Sequence, residues 1–201
     1  MPPPGWTANR LADKRPGYGN DMEDARQKFQ GAMHMTFAKE EPSSTAEIGI
    51  RPFQPGDAAA FRSLNEEWIT RFFRIEPKEK PVLADPQTNI LDSGGRILFA
   101  TAGERCVGCC ALIRINDKEF EVAKMAVESS YQGVGIGRRL LHAAIEEGRN
   151  AGAQRLYLET NHVLTPAIRL YESMGFKHID PKRIVPSQYA RADVYMELVL
   201  V

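Results

Sequence analysis

From Glu47 onward the chain alternates between two hydrophobic rhythms. "EIGIRPF" places apolar and polar residues at every second position, the pattern of a half-buried strand. "PGD" then supplies a turn, and Asp57 stands where a helix N-cap belongs, ahead of a helix predicted through about Phe73. Within it Phe61, Leu64, Trp68 and Phe72 fall at steps of three and four, one apolar stripe expected to face a sheet. "EPKEKPVLADPQTNILDSGG" is punctuated by proline and predicts one or two short helices ending at Gly94 and Gly95.

Three β-rich runs follow, "RILFAT", "CVGCCALIRIN" and "FEVAKMAV", joined by connections so short that an antiparallel meander is expected. Leu140, Leu141, Ala144, Ile145 and Gly148 then share one face of a helix that stops near "NAGA". "RLYLET" is the next strand. Thr165 reads as the cap of a helix with Pro166 at its first position, ended by Met174 and Gly175. "FKHI" and "ADVYMELVL" close the chain as strands. A meander followed by strand, helix, strand, helix, strand predicts an α/β fold with a mixed sheet, in a single domain over residues 45–201. Residues 1–44, rich in proline and glycine without a sustained period, are expected to be a disordered or loosely attached extension.

Charge adds mainly exclusions. The 26 basic residues equal the 26 acidic ones, so no nucleic-acid or anionic-membrane surface is expected, and any affinity for phosphate must be local. No run approaches the roughly 18 apolar residues of a membrane span, and a cytoplasmic location is expected. Cys106, Cys109 and Cys110 have no second cluster to complete a tetrahedral site and lie in an apolar strand, so they read as buried thiols; the histidine spacing makes no pair, and no metal is expected. The sequence leaves room for a homodimer.

The chemistry concentrates in "YQGVGIGRR", where glycines at 133, 135 and 137 lead straight into a helix. Such a turn aims several backbone N–H groups at one anion. A Walker A loop is excluded because the required Lys and Ser/Thr are missing, and a dinucleotide fingerprint fits poorly, with Arg138 in its sixth position. Gln132 to Gly137 instead follow Q-x-x-G-x-G after the strand "KMAV". With "MAVESSYQGVGIGRRLL", "RLYLET" and "PAIRLYESMGF" in that order, the chain resembles the GNAT superfamily of N-acetyltransferases over roughly Glu47 to Val201.

That resemblance implies acetyl-CoA as acyl donor, held at the pyrophosphate by backbone around Gln132, Gly133, Val134, Gly135, Ile136, Gly137 and Arg138. It implies an acetyl group between two splayed central strands beside Met125, Ala126 and Val127. Tyr171 matches the tyrosine that protonates the departing thiolate, although its spacing with Ala167, Leu170 and Met174 equally describes a packed aromatic. Glu121, four residues before Met125, matches a glutamate that serves several members as general base; an even step along a strand keeps both on one face, and a solvent-side hairpin glutamate is the other reading. Where many relatives bind the pantetheine arm with Asn this chain has Leu164, and Asn161 is the substitute candidate. Trp68, Phe72 and Phe73 are candidates to line the acceptor mouth, and Glu66, Glu67 and Glu76 to attract a cationic amine. The implied reaction is direct acetyl transfer to a primary amine of a small molecule or peptide, the alternative being a non-catalytic acyl-CoA-binding module.

Overall fold

The computed structural model describes residues 47–200; the proposed extension at 1–44 lies outside them. Seven strands form one sheet in the order β1-β2-β3-β4-β5-β7-β6. β2 (Arg96–Ala102), β3 (Arg105–Asn116) and β4 (Glu119–Val127) are the predicted antiparallel meander, and β1 (Ile48–Pro52) adds to it, antiparallel to β2. β5 (Arg155–Thr160) lies parallel to β4, and β7 (Val194–Val199) runs antiparallel to β5. "FKHI" yields only the two-residue β6 (Lys177–His178), because the segment after it leaves the sheet edge as a loop with a turn at Pro181–Arg183.

Helices cover both faces. α1 (Ala58–Phe72) and the short α2 (Glu79–Ala84) enclose one core with Phe61, Leu64, Ile69, Leu83, Phe99 and Ala111. α3 (Ile136–Asn150) buries Ile136, Leu140, Leu141, Ala144 and Ile145 on the other face against Leu98, Leu112, Phe120 and Leu156, with α4 (Thr165–Ser173) alongside. At roughly 1.5–3 kcal/mol for each large apolar side chain removed from water, these two layers dominate the folding free energy.

Two expected caps are made differently. Asp57 does precede α1, but its carboxylate holds Arg51 at 2.6 and 3.0 Å and the Gln54 N–H at 2.7 Å, which leaves it no bond to the helix. Thr165 is the first residue of α4, and Leu164 takes the cap position without a side-chain bond. The α1 stripe also divides: Phe61, Leu64 and Ile69 are buried against the sheet, whereas Trp68 and Phe72 are half-buried where the helix runs past it.

The decisive irregularity is in β4. Ala123 pairs with Ala111 and Ala126 with Cys109, so Lys124 and Met125 together oppose Cys110 alone. This is a β-bulge, and Lys124 absorbs it at φ 50°, in the left-handed region that non-glycine residues seldom occupy. The extra residue reverses the alternation of side chains beyond it. Val122 packs on the α3 face and Ala126 on the α1 face, although they are four residues apart.

Candidate active site

β4 and β5 pair only over Glu119–Glu121 and Arg155–Tyr157. Beyond that point β4 bends away at the bulge, and from Val122 to Val127 its edge has no partner strand on the β5 side. The gap opens into a cavity of roughly 360 Å³ that is lined from both faces of the sheet. Trp68, Phe72, Phe73, Tyr189 and Arg191 wall one side; Gly133, Gly137, Leu170 and Tyr171 wall the other.

Head of α3 and the glycine turn come first. Gly133 and Gly135 sit at φ 81° and 89°, where a side chain would strain the backbone, and the space their Cβ atoms would occupy is empty within 4 Å. Gly135 is the N-cap, and its carbonyl accepts the first helical bond from the Arg139 N–H at 3.1 Å. Among the described residues, the N–H groups of 133 to 138 donate to no main-chain carbonyl. These amides stand at the positive end of a helix dipole and have no main-chain acceptor. Gln132 braces the turn by donating to the Val127 carbonyl at 2.8 Å. Arg138 reaches Ser173 Oγ at 3.0 Å and Met174 Sδ at 3.4 Å, tying α3 to the end of α4, while Arg139 donates to the Ile48 carbonyl in β1. Val134 is exposed, and Ile136 is buried in the core rather than in the turn.

Met125, Ala126 and Val127 form the free edge of β4 and line the cavity. Tyr171 lines it from α4, its ring 6.0 Å from that of Phe176; burial, with Cys110 nearby, holds its phenol well above the usual range, so it keeps its proton. Asn161 is buried at the opposite wall, where its amide donates to the Arg191 carbonyl at 2.5 Å and accepts from the Val163 N–H at 3.0 Å.

Glu121 also lines the cavity, but not on the face expected for it. Because of the bulge, Met125 packs with the α3 cluster, whereas Glu121, two residues before Ala123 on a regular stretch, shares the α1 side. An even step does not mean one face when an unpaired residue intervenes. Part of Glu121 remains open to the cavity while protein closes around its carboxyl on nearly every other side. Burial first and the Glu159 charge second push its pKa up to about 7, against the opposing pull of Lys124.

Periodicity alone did not reveal the polar assembly beside it. Glu79, fully buried, accepts Arg191 at 2.7 and 3.0 Å and Lys124 Nζ at 3.0 Å. Tyr189 lies among three cations, with Lys78, Lys124 and Arg191 at 4.4, 4.7 and 4.9 Å from its ring centre, and its hydroxyl accepts from Lys124 at 3.3 Å. Glu159 accepts from Tyr157 Oη at 2.8 Å and from Ser187 Oγ. These partners are up to 112 residues apart in sequence, a separation no local pattern records.

Of the suggested mouth residues, Trp68, Phe72 and Phe73 line the cavity and pack together with ring centres 5.8 to 6.3 Å apart. Glu66 pairs with Arg62 on the outside of α1, Glu67 accepts from Ser129 Oγ, and Glu76 is drawn to Arg191 at 3.3 Å. Cys109 and Cys110 are buried, and burial pushes the Cys109 thiol up to about 12, which leaves it no nucleophilic thiolate. Among the described residues no group of histidine, cysteine and carboxylate side chains could hold a metal ion, and no helix is long and apolar enough to cross a membrane.

Comparison with known proteins agrees with this geometry. Residues 61–176 match the model of the acetyltransferase (GNAT) family. The uncharacterized N-acetyltransferase YsnE of Bacillus subtilis (strain 168) is 35% identical over 92 residues, covering 44% of this chain and 61% of that protein. The uncharacterized N-acetyltransferase YjgM of Escherichia coli (strain K12) is 43% identical over 60 residues, 30% of this chain and 36% of that protein. The chain thus spans between about a third and two thirds of the length of these relatives. Among solved structures, a GNAT-family acetyltransferase from Staphylococcus aureus Mu50 superposes with a TM-score of 0.70 at 21% identity, covering 77% of this chain and all of that one. One from Elizabethkingia anophelis, with acetyl-CoA bound, gives 0.52 at 21% identity, covering 78% and 100%. At such identities the likeness is one of fold.

Proposed function

Because the chain belongs to the GNAT acetyltransferase family, we propose that it transfers an acetyl group from acetyl-CoA to a primary amine by direct attack. The observation that carries this reading is the set of N–H groups at 133 to 138 without a main-chain acceptor, in a turn whose Gly133 and Gly137 line the same cavity as Glu121. Empty space over Gly133 and Gly135 fits a diphosphate. The free edge of β4 offers main-chain groups to the thioester, and Gly137, without a side chain, leaves Met125 and Leu170 room to line the cavity, each 3.4 Å from where a Cβ would stand.

Each residue then has a defined task. An alkyl amine with a pKa near 10.4 is protonated at neutral pH and cannot attack. Glu121, poised near 7, takes the first proton and passes it to solvent. As the new C–N bond forms and the C–S bond breaks, Tyr171 protonates the sulfur, and the second proton shed by nitrogen restores its phenol. Holding the reactants together supplies much of the acceleration. The supporting cysteines are buried and protonated, consistent with no covalent enzyme intermediate.

Thiol release from acetyl-CoA across a panel of amines tests the reading. Tyr171→Phe is expected to lower kcat by roughly 100- to 10,000-fold, on the order of a general acid's contribution, with coenzyme affinity by calorimetry retained. Gly135→Asp, which sets a carboxylate against the phosphates, is expected to abolish that affinity. Full turnover by the first variant, or normal binding by the second, would contradict the assignment.

A further inference from the structure

Two carboxylates that line the cavity, Glu121 and Glu159, form no ion pair with a cation among the described residues. Among the described residues no neighbour makes a hydrogen bond or ion pair with the Glu121 side chain, although protein encloses it almost completely and it faces the cavity. Glu159 lies two residues beyond Tyr157, the register partner of Glu121, on the same face of β5 and so about 7 Å further along the strand. Its oxygens are held by two neutral hydroxyls, Tyr157 and Ser187, which orient a carboxylate without cancelling its charge. The nearby cations are committed elsewhere: Lys124 and Arg191 to Glu79, with Arg191 also on Glu76 and Lys78 on Glu76. A half-buried pair of anions beside an aromatic wall is unfavourable when empty and calls for a cation.

We propose that Glu159 is the docking carboxylate of the acceptor, and that the acceptor is accordingly a strongly basic alkyl amine that arrives as an ammonium ion. This rests on the transferase reading of the site. Glu159 holds the nitrogen while Glu121 removes one proton, so binding and deprotonation fall to different carboxylates. The wall of Trp68, Phe72 and Phe73 takes the alkyl body. Weakly basic aryl amines, neutral at pH 7, gain nothing from Glu159. The groups facing Glu121 are Glu159 and Tyr157 from β5, Lys124 from β4 and Tyr189 from the segment before β7. Of these Glu159 raises its proton affinity and Lys124 lowers it.

Calorimetric titration of hexylamine and of hexan-1-ol, its neutral counterpart, into the protein saturated with CoA tests the proposal. Hexylamine is expected to bind about tenfold tighter or better, and Glu159→Gln to bring the ratio near one. In thiol-release assays the same variant is expected to move the pH of half-maximal rate below that of the wild type, because Glu121 loses the neighbouring charge; a purely structural role for Glu159 would not shift it. Equal binding of the two probes to the wild type, a test that does not depend on the variant folding, overturns the proposal, as does a preference that survives Glu159→Gln. Cation preference without turnover of any amine would leave the docking site standing and remove the transferase reading.

Discussion

Burial and the Glu159 charge hold Glu121 in a protonation balance that costs the fold stability at high pH. Its folded pKa of about 7 lies above that of a free carboxyl, so the folded state binds the proton more tightly than the unfolded chain does. The resulting stabilisation is complete below the unfolded pKa and is lost as pH rises through about 7. Glu121→Gln should therefore raise the unfolding free energy at pH 8 to 9 by on the order of 1–3 kcal/mol, and make little difference near pH 4. Thermal unfolding of both proteins across that range checks it, and a constant offset would mean that the carboxyl is not perturbed. The identity of this residue was legible in the sequence; its orientation was not. Counting by twos along β4 placed it beside Met125, whereas the bulge put the two on opposite faces.

At the level of elements, the bulge connects backbone geometry to charge. Lys124 is the inserted residue, and its unusual φ turns the ammonium into the buried acceptor wall, where Glu79 and Tyr189 receive it. Glu79 is held below the usual carboxylate range by Arg191 and Lys124 despite an opposing effect of burial, so its contribution to stability is present at neutral pH and lost on acidification. Lys124→Met leaves a fully buried carboxylate with one cation in place of two and is expected to cost about 3–5 kcal/mol, the usual penalty for breaking a buried pair. Chemical denaturation measures this, and a loss below about 1 kcal/mol would show the pair to be dispensable. Strand and helix order was readable because apolar spacing directly encodes each element's buried face. The Glu79, Lys124, Arg191 and Tyr189 assembly was not, since its members come from α2, β4 and the segment before β7 and meet only after the chain has folded.

For the molecule as a whole, the sheet is two parts, β1 to β4 and β5 to β7, joined by three register pairs. A donor bound at the head of α3 and along the free edge of β4 would bridge that seam. CoA should accordingly raise the unfolding temperature, by an amount equivalent to about 2.7 kcal/mol at a hundredfold excess over Kd, and NAD should not. Equal protection by both would point to a generic anion site at the glycine turn. On the proposed reading, a cavity lined from both faces of the sheet would receive donor and acceptor from opposite sides, as through two doors. A single compound carrying a CoA-like arm, a short spacer through the gap and an alkylammonium tail would occupy both doors at once. Its affinity would exceed that of either half by the effective-concentration advantage of a tether, an advantage that a one-sided pocket could not give.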